Sequence, residues 1–117
     1  MSTHPNAILM AVLTPAGWSR ERMQEIVPGY DQDSHSYIEI GDTKYNAIIM
    51  ESDYDEGFQI SAQEGDLIFF DMITYGYGDR IAWDRLTSLH GKLERWALET
   101  CQTHHCSYKI FVTANYW

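Results

Sequence analysis

The sequence predicts an α+β fold: a single, mostly antiparallel or mixed β-sheet of about five to six strands, with a short and a long helix packed on one face. Short runs rich in β-branched and aromatic residues recur along the chain, and turns containing glycine or proline separate them. One long stretch in the second half has helical spacing of its apolar residues. The length of 117 residues fits one globular domain, expected over residues 1–117.

The first two elements are a strand and a short helix. Residues 7–13 form an uninterrupted apolar run closed by a Pro-Ala-Gly turn, which predicts a buried strand. Ser19 stands where the N-cap of a helix is expected, and the helix has to end before Pro28. Trp18 and Met23 then occupy the two positions of a hydrophobic staple.

The middle of the chain predicts a β-hairpin and two further strands. Residues 36–40 and 43–50 alternate like strands, and the Gly-Asp pair at residues 41–42 supplies the two central positions of a tight hairpin turn. Two more short strands are predicted at residues 58–60 and 67–70, the second of them preceded by a turn.

The longest element is a predicted amphipathic helix over residues 80–103, with Asp79 as its N-cap. Gly91 inside it lowers helix stability by about 1 kcal/mol relative to alanine. We therefore expect the helix to need docking on the sheet through its stripe of apolar residues. A last strand follows at residues 107–116, giving the order β-α-β-β-β-β-α-β. The stripe comprises Trp83, Leu86, Leu89, Leu93, Trp96, Ala97 and Cys101.

The net charge of −9 is unevenly distributed. Residues 31–79 carry twelve acids against Lys44 alone, a net charge of −11, whereas residues 1–30 are neutral and residues 80–117 carry +2. Because binding to nucleic acid or to anionic lipid needs clusters of Lys and Arg, neither is an expected direct partner. The basic residues of the long helix lead us to expect the acid on hairpins and loops away from that helix.

The compartment is predicted from what the sequence does not contain. No basic residue precedes the apolar run at residues 7–13, so no export signal is predicted. The apolar runs are far shorter than the roughly 20 residues that span a bilayer. Two cysteines do not make a disulfide framework of the secreted kind. We therefore expect a cytoplasmic protein.

Residues 31–79, which we call the acidic segment, are interleaved with tyrosines, and this combination predicts a partner-binding face. Carboxylates held on a rigid scaffold attract a basic groove by the same Coulombic steering that attracts phosphates. Two other interpretations stay open, namely that the excess acid only keeps the protein soluble, or that the clustered carboxylates hold Ca²⁺ or Mg²⁺. The predicted face comprises Asp31, Asp33, Glu39, Glu51, Asp53, Tyr54, Asp55 and Glu56.

These residues lead us to expect a binding or inhibitor protein rather than an enzyme, with no cofactor. The expected partner is a basic, nucleic-acid-binding protein or complex, whose site the acidic face would occupy as a nucleic-acid mimic. By class, small acidic single-domain proteins of this kind resemble the phage or mobile-element inhibitors directed against host defence, of the anti-CRISPR or anti-restriction type.

Two alternative functions remain. Cys101, His104, His105 and Cys106 are residue types that bind zinc, and their spacing would suit a small metal-binding protein or a metal-dependent enzyme. The other alternative is a subunit of a homo-oligomer, in which the terminal strand, with Tyr116 and Trp117, extends a sheet across chains.

Overall fold

The computed structural model describes residues 5–51, 62–74 and 80–116. The described strands form one five-stranded antiparallel sheet in the order β2-β3-β4-β1-β5, so the predicted α+β class is confirmed. The predicted strand at residues 58–60 and the predicted cap Asp79 lie outside the described residues. The elements are β1 (Pro5–Pro15), α1 (Ser19–Ile26), β2 (Ser36–Ile40), β3 (Thr43–Ile49), β4 (Leu67–Met72), α2 (Trp83–His104) and β5 (Cys106–Tyr116).

Strand β1 lies between β4 and β5 and is buried on both faces. Because successive side chains of a strand point to opposite faces, a strand covered on both sides needs an unbroken apolar run. Leu9, Ala11 and Leu13 face the core that both helices share. Ile8, Met10 and Val12 belong to a second cluster on the other face.

Helix α1 begins where the sequence predicts, but its first turn is stabilised differently. The N-cap position is Trp18, which makes no side-chain capping bond, so the predictions of a Ser19 cap and a hydrophobic staple are wrong. The Ser19 hydroxyl instead donates to the Gly65 carbonyl at 2.6 Å and ties α1 to the turn before β4. Met23 is fully buried, whereas Trp18 is 80% exposed and cannot pack over it.

Helix α2 contacts strands β1, β2 and β5 of the sheet. Near its middle the Lys92 ammonium lies 3.3 Å from the Asp42 carboxylate in the hairpin turn, and at its C-terminal end His105 alone links α2 to β5. The helix begins at Trp83 with Ala82 as its N-cap, so the prediction that it begins at residue 80 with Asp79 as its cap is wrong. Trp83 is 79% exposed because the sheet does not cover the first turn. Trp96 packs edge-on against Phe69, with ring centroids 4.8 Å apart. The buried stripe consists of Leu89, Leu93, Ala97 and Cys101.

The predicted hairpin is confirmed. Ile40 pairs with Thr43 across the turn, and Gly41 has a φ of 64°, a left-handed value that glycine adopts without steric cost. The hairpin forms one side of the sheet, with β2 at the edge, and β5 forms the opposite edge. Neither of the two described helices is long and apolar enough to cross a membrane.

Candidate partner-binding surface

The loop between α1 and β2 presents Asp31 and Asp33 to solvent. One carboxylate oxygen of Asp31 accepts the Asp33 backbone N–H at 3.0 Å, which is an Asx turn. The Asp31 backbone N–H donates to the Ser36 hydroxyl at 3.1 Å, where β2 begins. These local hydrogen bonds stabilise the loop, and both carboxylates are exposed.

The same loop lies beside the end of β3, and this brings Glu51 to the same surface. Asp33 and His35 from the loop, together with Ile49 and Glu51, line one shallow depression. Tyr30 lies at the border of this depression. Burial raises the pKa of the Tyr30 hydroxyl, and the negative charges of Glu51 and Asp31 raise it further. We call the three exposed carboxylates of Asp31, Asp33 and Glu51 the acidic patch.

The acidic patch is not neutralised from within the described residues. No Lys, Arg or His side chain of residues 5–51, 62–74 or 80–116 forms an ion pair with its carboxylates. The ion pairs found in these ranges lie elsewhere, at Glu25 and at Asp42. Arg20 acts on the Tyr30 hydroxyl through its charge, but it does not pair with the patch. The patch therefore carries three exposed carboxylates that have no ion-pair partner among the described residues.

Glu39 lies apart from the acidic patch. It lies about 10 Å along β2 from Ser36, and it borders a cleft whose other lining residues belong to the hairpin turn and to α2. Lys44 is its partner in the register of β2 and β3, and the Lys44 ammonium lies 4.3 Å from the centre of the Tyr37 ring. The negative charge at Glu39 is thus partly offset by a neighbouring cation. Asp53, Tyr54, Asp55 and Glu56 lie outside the described residues.

Three other acids of the acidic segment are buried, half-buried or paired within the protein. Asp66 is 3% exposed and accepts hydrogen bonds from the Thr14 hydroxyl at 2.9 Å and from the Gln63 backbone N–H at 2.8 Å. Asp71 is half-buried, and its burial raises the pKa of that carboxyl. Asp42 pairs with Lys92 of α2, so the expectation that the acid avoids the long helix is wrong at this position. The described acids therefore divide into those that are buried or paired and those that are exposed without an ion-pair partner, a distinction that composition does not reveal.

The predicted metal ligands do not all come together, although the Cys101 and Cys106 thiols lie close enough to interact. Cys101 belongs to the buried stripe of α2, and burial raises the pKa of its thiol to about 12. His104 turns to α1, where its Nδ1 lies 3.1 Å from a Glu25 carboxylate oxygen. His105 is exposed in the left-handed conformation that ends the helix, and the Cys106 thiol donates to the His104 carbonyl. In the described part of the chain, no group of three or more His, Cys, Asp or Glu side chains is placed to share a metal ion.

Comparison of the chain with protein-family models, with curated proteins and with solved structures finds no match. The function therefore has to be argued from the surface itself.

Proposed function

We propose that this chain is a cytoplasmic binding or inhibitor protein whose acidic patch engages a basic, nucleic-acid-binding surface of a partner protein. In this role it would act as a nucleic-acid mimic, of the type that phages and mobile elements direct against host defence. The proposal depends mainly on one observation. Asp33 and Glu51 line one depression, Asp31 adjoins it through its hydrogen bond to Asp33, and all three carboxylates are exposed without a pairing cation in the described residues.

Electrostatics supports a partner rather than a purely solubilising role. Charges that serve solubility are normally interspersed with charges of the other sign. Unpaired carboxylates on a fixed loop instead focus a negative potential, which accelerates encounter with a cationic groove and fixes its orientation. The Asx turn at Asp31 orders the loop before binding, so less conformational entropy is lost when the complex forms.

Tyr30 and the acids that follow Glu51 complete the proposed surface. A tyrosine at the border of a charged patch offers apolar contact area and a polar tip at small entropic cost. Asp53, Tyr54, Asp55 and Glu56 follow Glu51 directly in the sequence, and we include them in the proposed surface on that ground. Glu39 is included as a peripheral member, because Lys44 offsets its charge.

A pair of charge-matched variants tests the proposal. The first combines Asp31→Asn, Asp33→Asn and Glu51→Gln, which removes the charge of the patch and retains side-chain shape, including the Asx turn. The matched control combines Asp84→Asn, Glu94→Gln and Glu99→Gln, three exposed acids of α2. Both variants change the net charge equally, so they differ only in where the charge is removed.

Each protein is immobilised and exposed to nuclease-treated bacterial lysate, and the captured proteins are challenged with salt and then with added DNA or RNA. We expect wild type and the α2 control to retain the same nucleic-acid-binding protein, which added nucleic acid displaces. We expect the patch variant to lose it while melting within a few degrees of wild type, since exposed substitutions cost less than about 0.5 kcal/mol. Equal capture by both variants, or complexes that neither DNA nor RNA displaces, would contradict the proposal.

A further inference from the structure

Strand β5 forms one edge of the sheet and is unusually long and apolar for that position. It spans Cys106–Tyr116, 11 residues, and Lys109 is its only charged residue. Within residues 5–51, 62–74 and 80–116, no strand pairs with its outer side. Proteins normally protect such an edge by keeping it short or by placing charges on it, because its free N–H and C=O groups attract another strand.

The backbone groups that face outward follow from the pairing with β1. The Ala16 N–H donates to the His105 carbonyl at 3.0 Å, so the backbone of His105 is directed toward β1. Along an antiparallel strand, alternate residues direct both N–H and C=O to the same side. The outward-facing residues of β5 are therefore Cys106, Tyr108, Ile110, Val112 and Ala114.

The side chains along this edge are also suited to contact with an apolar surface. Val112 is 46% exposed, and Leu98 of α2 is 45% exposed on the face of the sheet that carries the helices. Tyr108 and Ile110 pack against the core and remain partly open to solvent. This edge thus combines an apolar strip with backbone groups that no strand of the described part of the chain pairs with.

The opposite edge of the sheet is protected. Strand β2 has five residues, and its pairing with β3 directs the backbones of Tyr37 and Glu39 outward. A short strand that carries a charged side chain deters pairing with another strand. The two edges of one sheet therefore differ in the property that decides whether a further strand can add.

We infer that β5 pairs antiparallel with β5 of a second copy of this chain, so that two sheets join across a two-fold axis. In the register centred on Ile110, Tyr108 of one copy lies opposite Val112 of the other, an aromatic and β-branched pair that stabilises sheets. Lys109 then lies opposite Phe111 of the other copy and does not meet the second Lys109. Strand β5 is thus complementary to itself, as a two-fold interface requires.

The charge distribution favours a second copy as the occupant. Two chains of −9 each repel one another, so they associate most easily where the acid is absent. Strand β5 contains no acid, and the adjacent helix α2 balances three acids with three bases. The acidic patch lies near the other edge of the sheet, about 19 Å away if neighbouring strands are spaced by 4.8 Å. The contact therefore leaves the patch free for its own partner.

The test uses a proline substitution that affects only the outer edge. The Val112 N–H points outward, so Val112→Pro removes no hydrogen bond to β1 and is tolerated as proline is on edge strands. Glu39→Pro is the matched control, because it removes an outward N–H at the edge formed by β2. The molar mass of the full-length chain is measured by sedimentation equilibrium over a range of concentrations, and folding of each variant is checked by circular dichroism.

We expect the wild type and Glu39→Pro to approach twice the 13.6 kDa of the chain as concentration rises, and Val112→Pro to stay at the monomer mass. Val112→Lys, which places a charge on the edge, should also be monomeric. In the wild type, exchange of the Ile110 and Val112 amides with deuterium should slow as the dimer forms, which tests the contact without any substitution. A wild type that remains monomeric throughout, a Val112→Pro dimer, or amides that exchange at a rate independent of concentration would overturn the inference.

Discussion

Asp66 is the acid whose removal should affect stability most, and the size of the effect can be worked out from its two hydrogen bonds. Asp66→Ala deletes the acceptor for the Thr14 hydroxyl, 2.9 Å away, and for the Gln63 backbone N–H, 2.8 Å away. A hydrogen bond to a charged group contributes about 1.5–3 kcal/mol net. Because both donors lie near the surface and water can partly replace the carboxylate, we expect a loss of about 2–4 kcal/mol, near the lower end of the sum.

Such a loss is a large part of the 5–15 kcal/mol that is typical of a domain of about this size. It is measured by urea denaturation with linear extrapolation, where the midpoint should fall and the slope stay unchanged. Glu64→Gln in the same turn is the matched control, since Glu64 is exposed and its substitution should cost less than about 0.5 kcal/mol.

A double-mutant cycle assigns the effect to the bond across the sheet. Thr14→Val alone removes one donor, and the coupling between Thr14→Val and Asp66→Ala should be roughly 0.5–3 kcal/mol, the range for residues in contact. An Asp66→Ala variant as stable as Glu64→Gln would refute the reasoning, because Asp66 would then belong with the free surface acids.

Three further predictions each concern a single residue. Gly91→Ala should raise the free energy of unfolding by up to about 1 kcal/mol, because a Cβ at this exposed helical position meets no atom within 4 Å; a lower melting temperature would contradict this. Burial raises the pKa of Tyr45 to about 12, above its ordinary value of 10.0, so stability should be complete below pH 10 and fall as the pH rises toward 12. In urea titrations at pH 9 and 11, Tyr45→Phe should not show this loss of stability. An equal loss between pH 9 and 11 in both proteins would count against the prediction. Burial also raises the pKa of Cys101 to about 12. Iodoacetamide at pH 8 should therefore modify Cys101 far more slowly in the folded protein than in urea, as followed by mass spectrometry. Equal rates of modification in the two conditions would refute the assignment.

The local elements were predictable because the physical signal for each lies within a few residues. The apolar run that became β1 needs burial on both faces, and the Gly-Asp pair at residues 41–42 fits the tight turn between β2 and β3. The stripe of α2 was predictable for the same reason from Leu89 to Cys101. The prediction that Trp83 belongs to the buried stripe failed, because periodicity does not show where a helix extends beyond the surface on which it packs.

The candidate site was only partly predictable. Asp31, Asp33 and Glu51 are described and share one surface, which the sequence indicated through their charge alone. Nothing in the sequence separates them from Asp66, which has the same chemistry and a structural role. The turn at residues 63–66 was predictable. Its hydrogen bond to the Thr14 hydroxyl was not, because Thr14 lies 52 residues away in the chain.

By itself, the sequence determined the α+β class, the hairpin, the long helix and a negative charge concentrated in the middle of the chain, because composition and short-range periodicity specify these. Only the tertiary structure decided that Ser19 bonds to Gly65 rather than capping its helix, and that β5 lies at an edge of the sheet. It also decided which acids are buried or paired and which are free. The physical reason is the same in each case: a hydrogen bond, an ion pair or a strand pairing between distant residues depends on which surfaces the folded chain brings together.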